Sequence, residues 1–344
     1  MQVTDKTSSR VEKLRQLLKD KADMVIVMQD NPDPDSIASA VALRELAHNI
    51  EDISCSITSG GSVGRGENRA LVHYLDLKLR PFDEVVFDRF DLIGMVDTQP
   101  GTGNNSIPES CIPHIVIDHH PCRRTTRSAK LFDIRTQYGA TATILLEYLI
   151  SAKIKPDIPL ATALLYAIRS DTQDFGREAG HADIQAVTYL FPIANKRMLG
   201  EIQRGSVERT YFQMLDAALQ NAYVYNNCII VGLGRVTNPD MIAEVADLLI
   251  RDEGIKAVVC FGSYKGKILL SVRTSEPDNR ADKIIKQIVA RRGIGGGHHM
   301  FAGGQIPLIN ESKSELEKLE NTIRKKCLRV LGLHKSSEKK LIEL

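Results

Sequence analysis

The sequence predicts an α/β protein, with an N-terminal doubly wound, mainly parallel sheet followed by a smaller C-terminal α/β domain. Three observations predict it. Short apolar runs of strand length alternate with segments of helical period from residue 24 onward. A long helical stretch then interrupts the alternation, and the same pattern restarts beyond it. At 344 residues the chain has the length of two domains rather than one.

Arg10 to Ala22 reads as a leading helix, because Val11, Leu14, Leu17 and Leu18 share one face. Met24 to Met28 is a continuous apolar run, as expected of a strand buried on both faces. Ser36 to Asn49 reads as helix, Ile53 to Ile57 as strand and Glu67 to Leu77 as helix. Glu84–Phe87, Leu92–Val96 and Ile115–Ile117 read as further strands, and Ala140–Leu149 and Leu160–Arg169 as helices. These place an N-terminal domain over residues 1–198. Leu199 to Ala222 reads as one helical connector (199–222).

The second domain is expected over 223–334. It opens with a strand at Tyr223–Gly232 and a helix at Ile242–Arg251, then a hairpin of Val258–Gly262 and Ile268–Arg273. A helix at Ala281–Ala290, a glycine cluster, a strand at Gln305–Ile309 and a helix at Ser312–Leu331 complete it. Residues 335–344 read as a charged, mobile tail.

Composition limits the function classes. No apolar run approaches the roughly 20 residues that span a bilayer, and the N-terminus lacks the apolar core of a secretion signal; a cytoplasmic location is expected. The six cysteines contain no C-x-x-C pair, which argues against a zinc knuckle or a disulfide framework. A net charge of +2 does not favour long duplex nucleic acid, so any attraction for an anion must be local.

The chemistry is concentrated at predicted strand ends. Asp33 and Asp35, stiffened by the prolines at 32 and 34, follow the first strand; Asp97 ends a strand; Asp118-His119-His120 ends the next. Each taken alone can be turn or capping chemistry, with Asp35 or Ser36 as the helix cap. Together they deliver carboxylates and imidazoles to one sheet edge, where their repulsion calls for a cation. Mixed Asp/His donors suit Mn²⁺, Mg²⁺ or Fe²⁺ better than Ca²⁺. Asp171 follows a predicted helix and supplies a further carboxylate. In the second domain Gly295-Gly296-Gly297-His298, with Arg273 on a nearby strand, reads as an anion-binding segment rather than only a tight turn. The phosphate loop of nucleoside triphosphatases is absent.

The ordered set Asp-x-Asp, Asp, Asp-His-His, Asp and Gly-Gly-Gly-His resembles the DHH phosphoesterase family with its DHH-associated C-terminal domain, nearest to the nanoRNase/pAp-phosphatase-like enzymes. The resemblance covers about Met24 to Leu331. It implies two Mn²⁺ ions between the domains, with Mg²⁺ as the alternative. Gln29 and Asp33 would hold one ion; Asp35, His119 and Asp171 would hold the other; Asp97 would bridge them. Asp118 would orient the histidines, and His120 would face the phosphate. His298, the glycine backbone and Arg273 would grip the substrate. The family usually has His where this chain has Gln29, and an amide is the weaker ligand. The expected substrates are short oligoribonucleotides or linear dinucleotides, and pAp. Cyclic dinucleotides and polyphosphate are the alternatives, as is a nucleotide-binding regulatory protein with turnover impaired at Gln29. The resemblance also allows a homodimer.

Overall fold

The computed structural model describes residues 3–176, 179–297, 300–308 and 312–342. The chain divides into two compact units, Met1–Ser206 and Val207–Leu344.

The first unit opens with α1 (Asp5–Leu18), which starts where the Thr4 hydroxyl accepts the Thr7 N–H. Its Val11, Leu14 and Leu18 are buried. A six-stranded sheet follows, made of β1 (Asp23–Val27), β2 (Ser54–Ser59), β3 (Leu79–Pro81), β4 (Leu92–Val96), β5 (Ile115–Asp118) and β6 (Leu131–Ile134). All its pairings are parallel, in the order β3-β2-β1-β4-β5-β6. The chain winds outward in one direction from β1 and in the other from β4. The crevice outside the carboxyl ends of these two strands is where open α/β sheets place their ligands. Register aligns those ends: Val27 lies beside Met95, and Val96 beside Ile117.

One face of the sheet is covered by α2 (Pro34–Glu51), α3 (Gly66–Tyr74), α4 (Thr141–Ser151), α5 (Ile158–Asp171), α6 (His181–Leu190) and α7 (Lys196–Gln203), which share a core with α1. The other face buries Val25, Val27, Ile93, Met95 and Val116 beneath Phe87, Phe90 and the loops around them. This mainly parallel α/β sheet bears out the expected fold class.

Several elements differ from the sequence reading. Residues 84–87 form no strand; two short 3-10 turns lie at Phe82–Glu84 and Phe87–Arg89, and the edge strand is the shorter β3. Pro81 ends β3, which a sheet tolerates only at an edge. β6 was hidden by Asp133, a charge inside a short strand that Arg135 satisfies in the fold.

In the second unit a seven-stranded mixed sheet has the order β11-β12-β10-β9-β8-β7-β13. Its elements in chain order are α8 (Arg209–Gln220), β7 (Ala222–Tyr225), β8 (Cys228–Arg235), α9 (Met241–Leu249), β9 (Ala257–Tyr264), β10 (Lys267–Thr274), α10 (Ala281–Val289), β11 (Ile294–Gly297), β12 (Phe301–Pro307), α11 (Lys313–Val330) and β13 (Lys339–Lys340). Helices α8 and α9 cover one face, α10 and α11 the other. The single connector helix expected over 199–222 is two helices, α7 and α8, interrupted at residues 204–208. The strand expected over 223–232 is a hairpin that turns at Asn226, whose φ of 55° asparagine tolerates. The glycine cluster is an edge strand rather than a turn, and the tail returns to pair Lys339–Lys340 with β7. Among the described residues no helix is long and apolar enough to cross a membrane.

Candidate metal centre

Asp33 begins the site by starting a helix. Its Oδ1 accepts the Ser36 N–H at 2.9 Å, and Pro34 occupies the first helical turn, where a missing N–H costs nothing. The sequence had offered Asp35 or Ser36 as the cap. Capping by Asp33 instead turns both of those inward, where they are buried.

Asp35 then acts on another helix. Its two oxygens accept the backbone N–H groups of Thr141 and Ala142, each at 2.7 Å. These open α4, which has no side-chain cap of its own, so a carboxylate from α2 meets the positive end of α4. Asp97 leaves β4 at φ 57°, a left-handed backbone that aspartate adopts more readily than most residues. Its carboxylate accepts the Ser36 hydroxyl at 2.6 Å and the Thr141 hydroxyl at 3.1 Å. The Gln29 amide donates to Ser36 Oγ at 3.1 Å.

β5 ends in Asp118, followed by the two histidines. His119 Nδ1 lies 3.1 Å from the Tyr138 carbonyl, an acceptor that fixes the tautomer and aims Nε2 at the acids. His119 Nε2 lies 3.2 Å from Asp171 Oδ2 and 3.6 Å from Asp97 Oδ1. Asp118 holds His120 through Nδ1 at 2.9 Å, and also accepts the His120 N–H and the Gln99 amide. Thus Asp118 orients His120, whereas the Tyr138 carbonyl orients His119. Asp171 closes α5 as its last residue rather than following it.

The donors fall into two groups that share His119: Asp97, Asp118, His119 and His120, and Asp35, His119 and Asp171. Ligand atoms within each group lie within 4.8 Å of one another. The His119–Asp171 spacing is close to an octahedral edge for metal–oxygen bonds of about 2.1 Å. Among the described residues Asp33 belongs to neither group; its Oδ1 accepts the Ser36 N–H.

Electrostatics favours a cation here. Burial pushes the Asp35 carboxyl up to about 7, and the charge of Asp33 adds to that, against the backbone N–H groups that lower it. Burial, with the charges of Asp35, Asp33, Asp118 and Asp171, holds Asp97 well above the ordinary carboxylate range. These acids resist ionising together unless a positive charge joins them. The donor chemistry therefore fits a divalent ion. Burial also raises Asp118, but its hydrogen bond to His120 and the charge of that ring outweigh the effect and hold it low. Burial opposes the proton on His120, yet Asp118 brings the imidazole up to about 9.

The loop from β6 to α4 escaped the sequence reading. It supplies the Tyr138 carbonyl and leads into the first turn of α4, which supplies the Thr141 hydroxyl and the two N–H groups on Asp35. Two buried anchors hold it. The Tyr138 hydroxyl donates to Glu147 Oε1 at 2.8 Å, and Glu147 also pairs with the buried Arg135, which is shared with Asp133 and Thr7. On the other side Asp183 accepts the Gly139 and Gly180 N–H groups and the Thr143 hydroxyl. A Cβ on Gly139 would lie 2.4 Å from Thr172 Cγ2, so only glycine fits.

In the second unit Arg273 is buried on β10, where its Nε donates to Asp247 Oδ1 at 2.5 Å and its guanidinium covers the Phe301 ring. Gly295 lies in β11, where a Cβ would stand 3.2 Å from Ile285 and Val289, so it admits close packing of α10. A Cβ on Gly297 would lie 2.2 Å from the Phe301 carbonyl, whereas Gly296 faces open space. His298 lies outside the described residues.

Residues 23–168 match the family profile of the DHH family N-terminal domain, and residues 223–327 match the DHHA1 domain. An uncharacterized protein of Methanocaldococcus jannaschii is 34% identical over 327 residues, 93% of this chain and 66% of that protein. A cyclic-di-AMP phosphodiesterase of Bacillus subtilis is 24% identical over 331 residues, 90% of this chain and 49% of that protein. The chain thus spans about two thirds of the first relative and about half of the second. The crystal structure of an exopolyphosphatase-related protein from Bacteroides fragilis shares the fold, with a TM-score of 0.71 at 12% identity, covering 94% of this chain and 98% of that one.

Proposed function

The chain belongs to the DHH family of phosphoesterases, and on that premise we propose that it is a metal-dependent hydrolase that cleaves short oligoribonucleotides or linear dinucleotides to mononucleotides, with pAp as a related substrate. The observation that carries the hydrolytic reading is the gathering of the Asp35, Asp97 and Asp171 carboxylates around His119 Nε2, which supports a metal-dependent site. Gln29, Asp33, Asp35, Asp97, His119 and Asp171 would hold the ions, Mn²⁺ foremost and Mg²⁺ as the alternative. Bound ions would neutralise phosphate charge and supply activated water for in-line attack. The protein's own groups do the rest. Tyr138 keeps the His119 ring in place, and Thr141 and Ser36 fix the Asp97 oxygens. Asp118 keeps a proton on His120, which can be delivered to the departing oxygen. In the second unit Arg273 and the backbone of Gly295, Gly296 and Gly297, with His298, would bind the substrate.

A second reading, hydrolysis of cyclic dinucleotides, is favoured by the likeness to the Bacillus subtilis enzyme. One panel separates them: linear dinucleotides, pAp, cyclic di-AMP and polyphosphate, each with Mn²⁺ and with Mg²⁺. Preferred release of mononucleotide from the linear dinucleotide is expected. Preferred opening of the cyclic compound would hand the assignment to the second reading. Tight nucleotide binding without turnover under either metal would leave a regulatory protein.

A further inference from the structure

Beyond the acids and histidines, the loop after His120 carries Arg123, Arg124 and Arg127 within five positions, all three exposed. Among the described residues none of them forms an ion pair. Uncompensated arginines on a surface are a standing attraction for phosphate, which the guanidinium fork engages with paired hydrogen bonds.

The loop is held rather than loose. Gln99, fully buried, accepts the Arg123 N–H at 2.8 Å and the Thr126 hydroxyl at 2.7 Å through Oε1. The same amide donates through Nε2 to Asp118 at 2.7 Å. Thr125 adds a bond to the Pro100 carbonyl at 2.6 Å. One buried amide therefore ties the arginine loop to the aspartate that holds His120. Residues 125–128 form a 3-10 turn capped by Arg124, whose backbone is already helical and whose carbonyl accepts the Arg127 N–H at 3.3 Å, so the two arginines lie one turn apart.

We infer that Arg123, Arg124 and Arg127 form a specificity rim that binds phosphates beyond the one being cleaved, so that the preferred substrate is a linear chain of several phosphates. The inference rests on the hydrolytic reading above and narrows its substrate class. An oligonucleotide backbone and an inorganic polyphosphate share this chemistry, and the test keeps them apart.

The experiment compares wild type with the triple variant Arg123→Ala/Arg124→Ala/Arg127→Ala on a tetraribonucleotide, on tripolyphosphate and on bis(p-nitrophenyl) phosphate, which has a single phosphate. For the chain substrate the KM is expected to rise roughly tenfold at nearly constant kcat, and the salt dependence of log KM to fall by about 1–2, since each neutralised single-strand phosphate contributes about 0.7. The single-phosphate ester should be unaffected. A triple Arg→Lys variant should recover most of the salt dependence and part of the KM. A KM effect on the tetranucleotide but not on tripolyphosphate identifies the oligonucleotide as the source; the reverse identifies polyphosphate. An unchanged KM and salt slope on both, or an equal loss on the single-phosphate ester, overturns the rim. Anisotropy of a labelled tetranucleotide in EDTA gives a readout without turnover. A wild type that binds in an arginine-dependent way yet hydrolyses nothing would sink the hydrolytic reading and leave the rim; one that does neither sinks both.

Discussion

The carboxylate of Asp35 caps a helix to which it does not belong: both of its oxygens receive backbone N–H groups at the start of α4, from Thr141 and Ala142, at 2.7 Å. One side chain thus serves stability and the candidate ion site at once. Asp35→Ala should lose metal-dependent turnover by two or more orders of magnitude. It should also destabilise the metal-free protein by about 1–3 kcal/mol, since two buried donors lose their acceptor. Urea unfolding in EDTA at pH 6 measures the second effect, and a variant as stable as wild type would refute the capping role.

Metal-free stability should fall as pH rises from 5 to 8. Asp35 moves from an ordinary value of 3.8 to about 7 in the fold, so between those values the folded state binds the extra proton and each rise in pH costs stability. Asp97 acts in the same direction. His120, raised from 6.5 to about 9, contributes stability that is lost as pH climbs through the folded value. Asp118 and Asp133, held low, act below this window. The partly buried His114, shifted down by burial, opposes the trend. Melting in EDTA should therefore give a lower Tm at pH 8 than at pH 5, and Mn²⁺ should reverse the loss at pH 8. A Tm that rises with pH in EDTA would contradict this.

Asp97→Asn should separate stability from activity. Asparagine accepts the left-handed backbone at this position and removes a carboxylate that burial disfavours. In EDTA at pH 8 the variant should melt above wild type, while Mn²⁺-dependent turnover and the Mn²⁺-induced rise in Tm are both lost. Retention of either metal effect would remove Asp97 from the ligand set.

His120→Ala should depend on the leaving group. If the imidazole delivers a proton, the variant should lose roughly 10²–10⁴-fold on dinucleotides. It should lose far less on p-nitrophenyl esters, whose leaving group needs no proton. Equal losses on both would point to phosphate binding instead.

Tyr138→Phe removes one hydroxyl from the anchor beneath His119. The affinity for Mn²⁺, followed by the electron paramagnetic resonance of the free ion, should weaken about 10–100-fold, as expected for the outer partner of a ligating histidine. Unchanged affinity would show that the carbonyl stays in place without its anchor.

What the sequence made legible follows from how each contribution is written in it. β1, β4 and β5 are continuous apolar runs because both of their faces are covered, so Asp97 and Asp118-His119-His120 stood out as polar groups at strand ends. The loop before α4 and the first turn of that helix did not stand out, because they act through the Tyr138 carbonyl and the Thr141 and Ala142 N–H groups, backbone groups that nearly every residue type carries. Gln99 and Asp183 were equally hidden, their partners lying up to 44 residues away. Arg273 was read as a ligand grip, and the fold adds what its residue type could not show: Asp247, Ser271 and Phe301 lie against it, so a bound phosphate would share the guanidinium with them.

The buried Arg135 cluster joins Thr7 to Glu147, and the last acid of the site is Asp171. During synthesis, then, the first helix must wait for about half of the chain before its polar partner emerges, and the donor set closes only once α5 has left the ribosome. A nascent chain shorter than this carries the acids without the geometry. Ion capture is thereby tied to the completion of the N-terminal unit, making the metal a late and cooperative partner in folding rather than a seed for it.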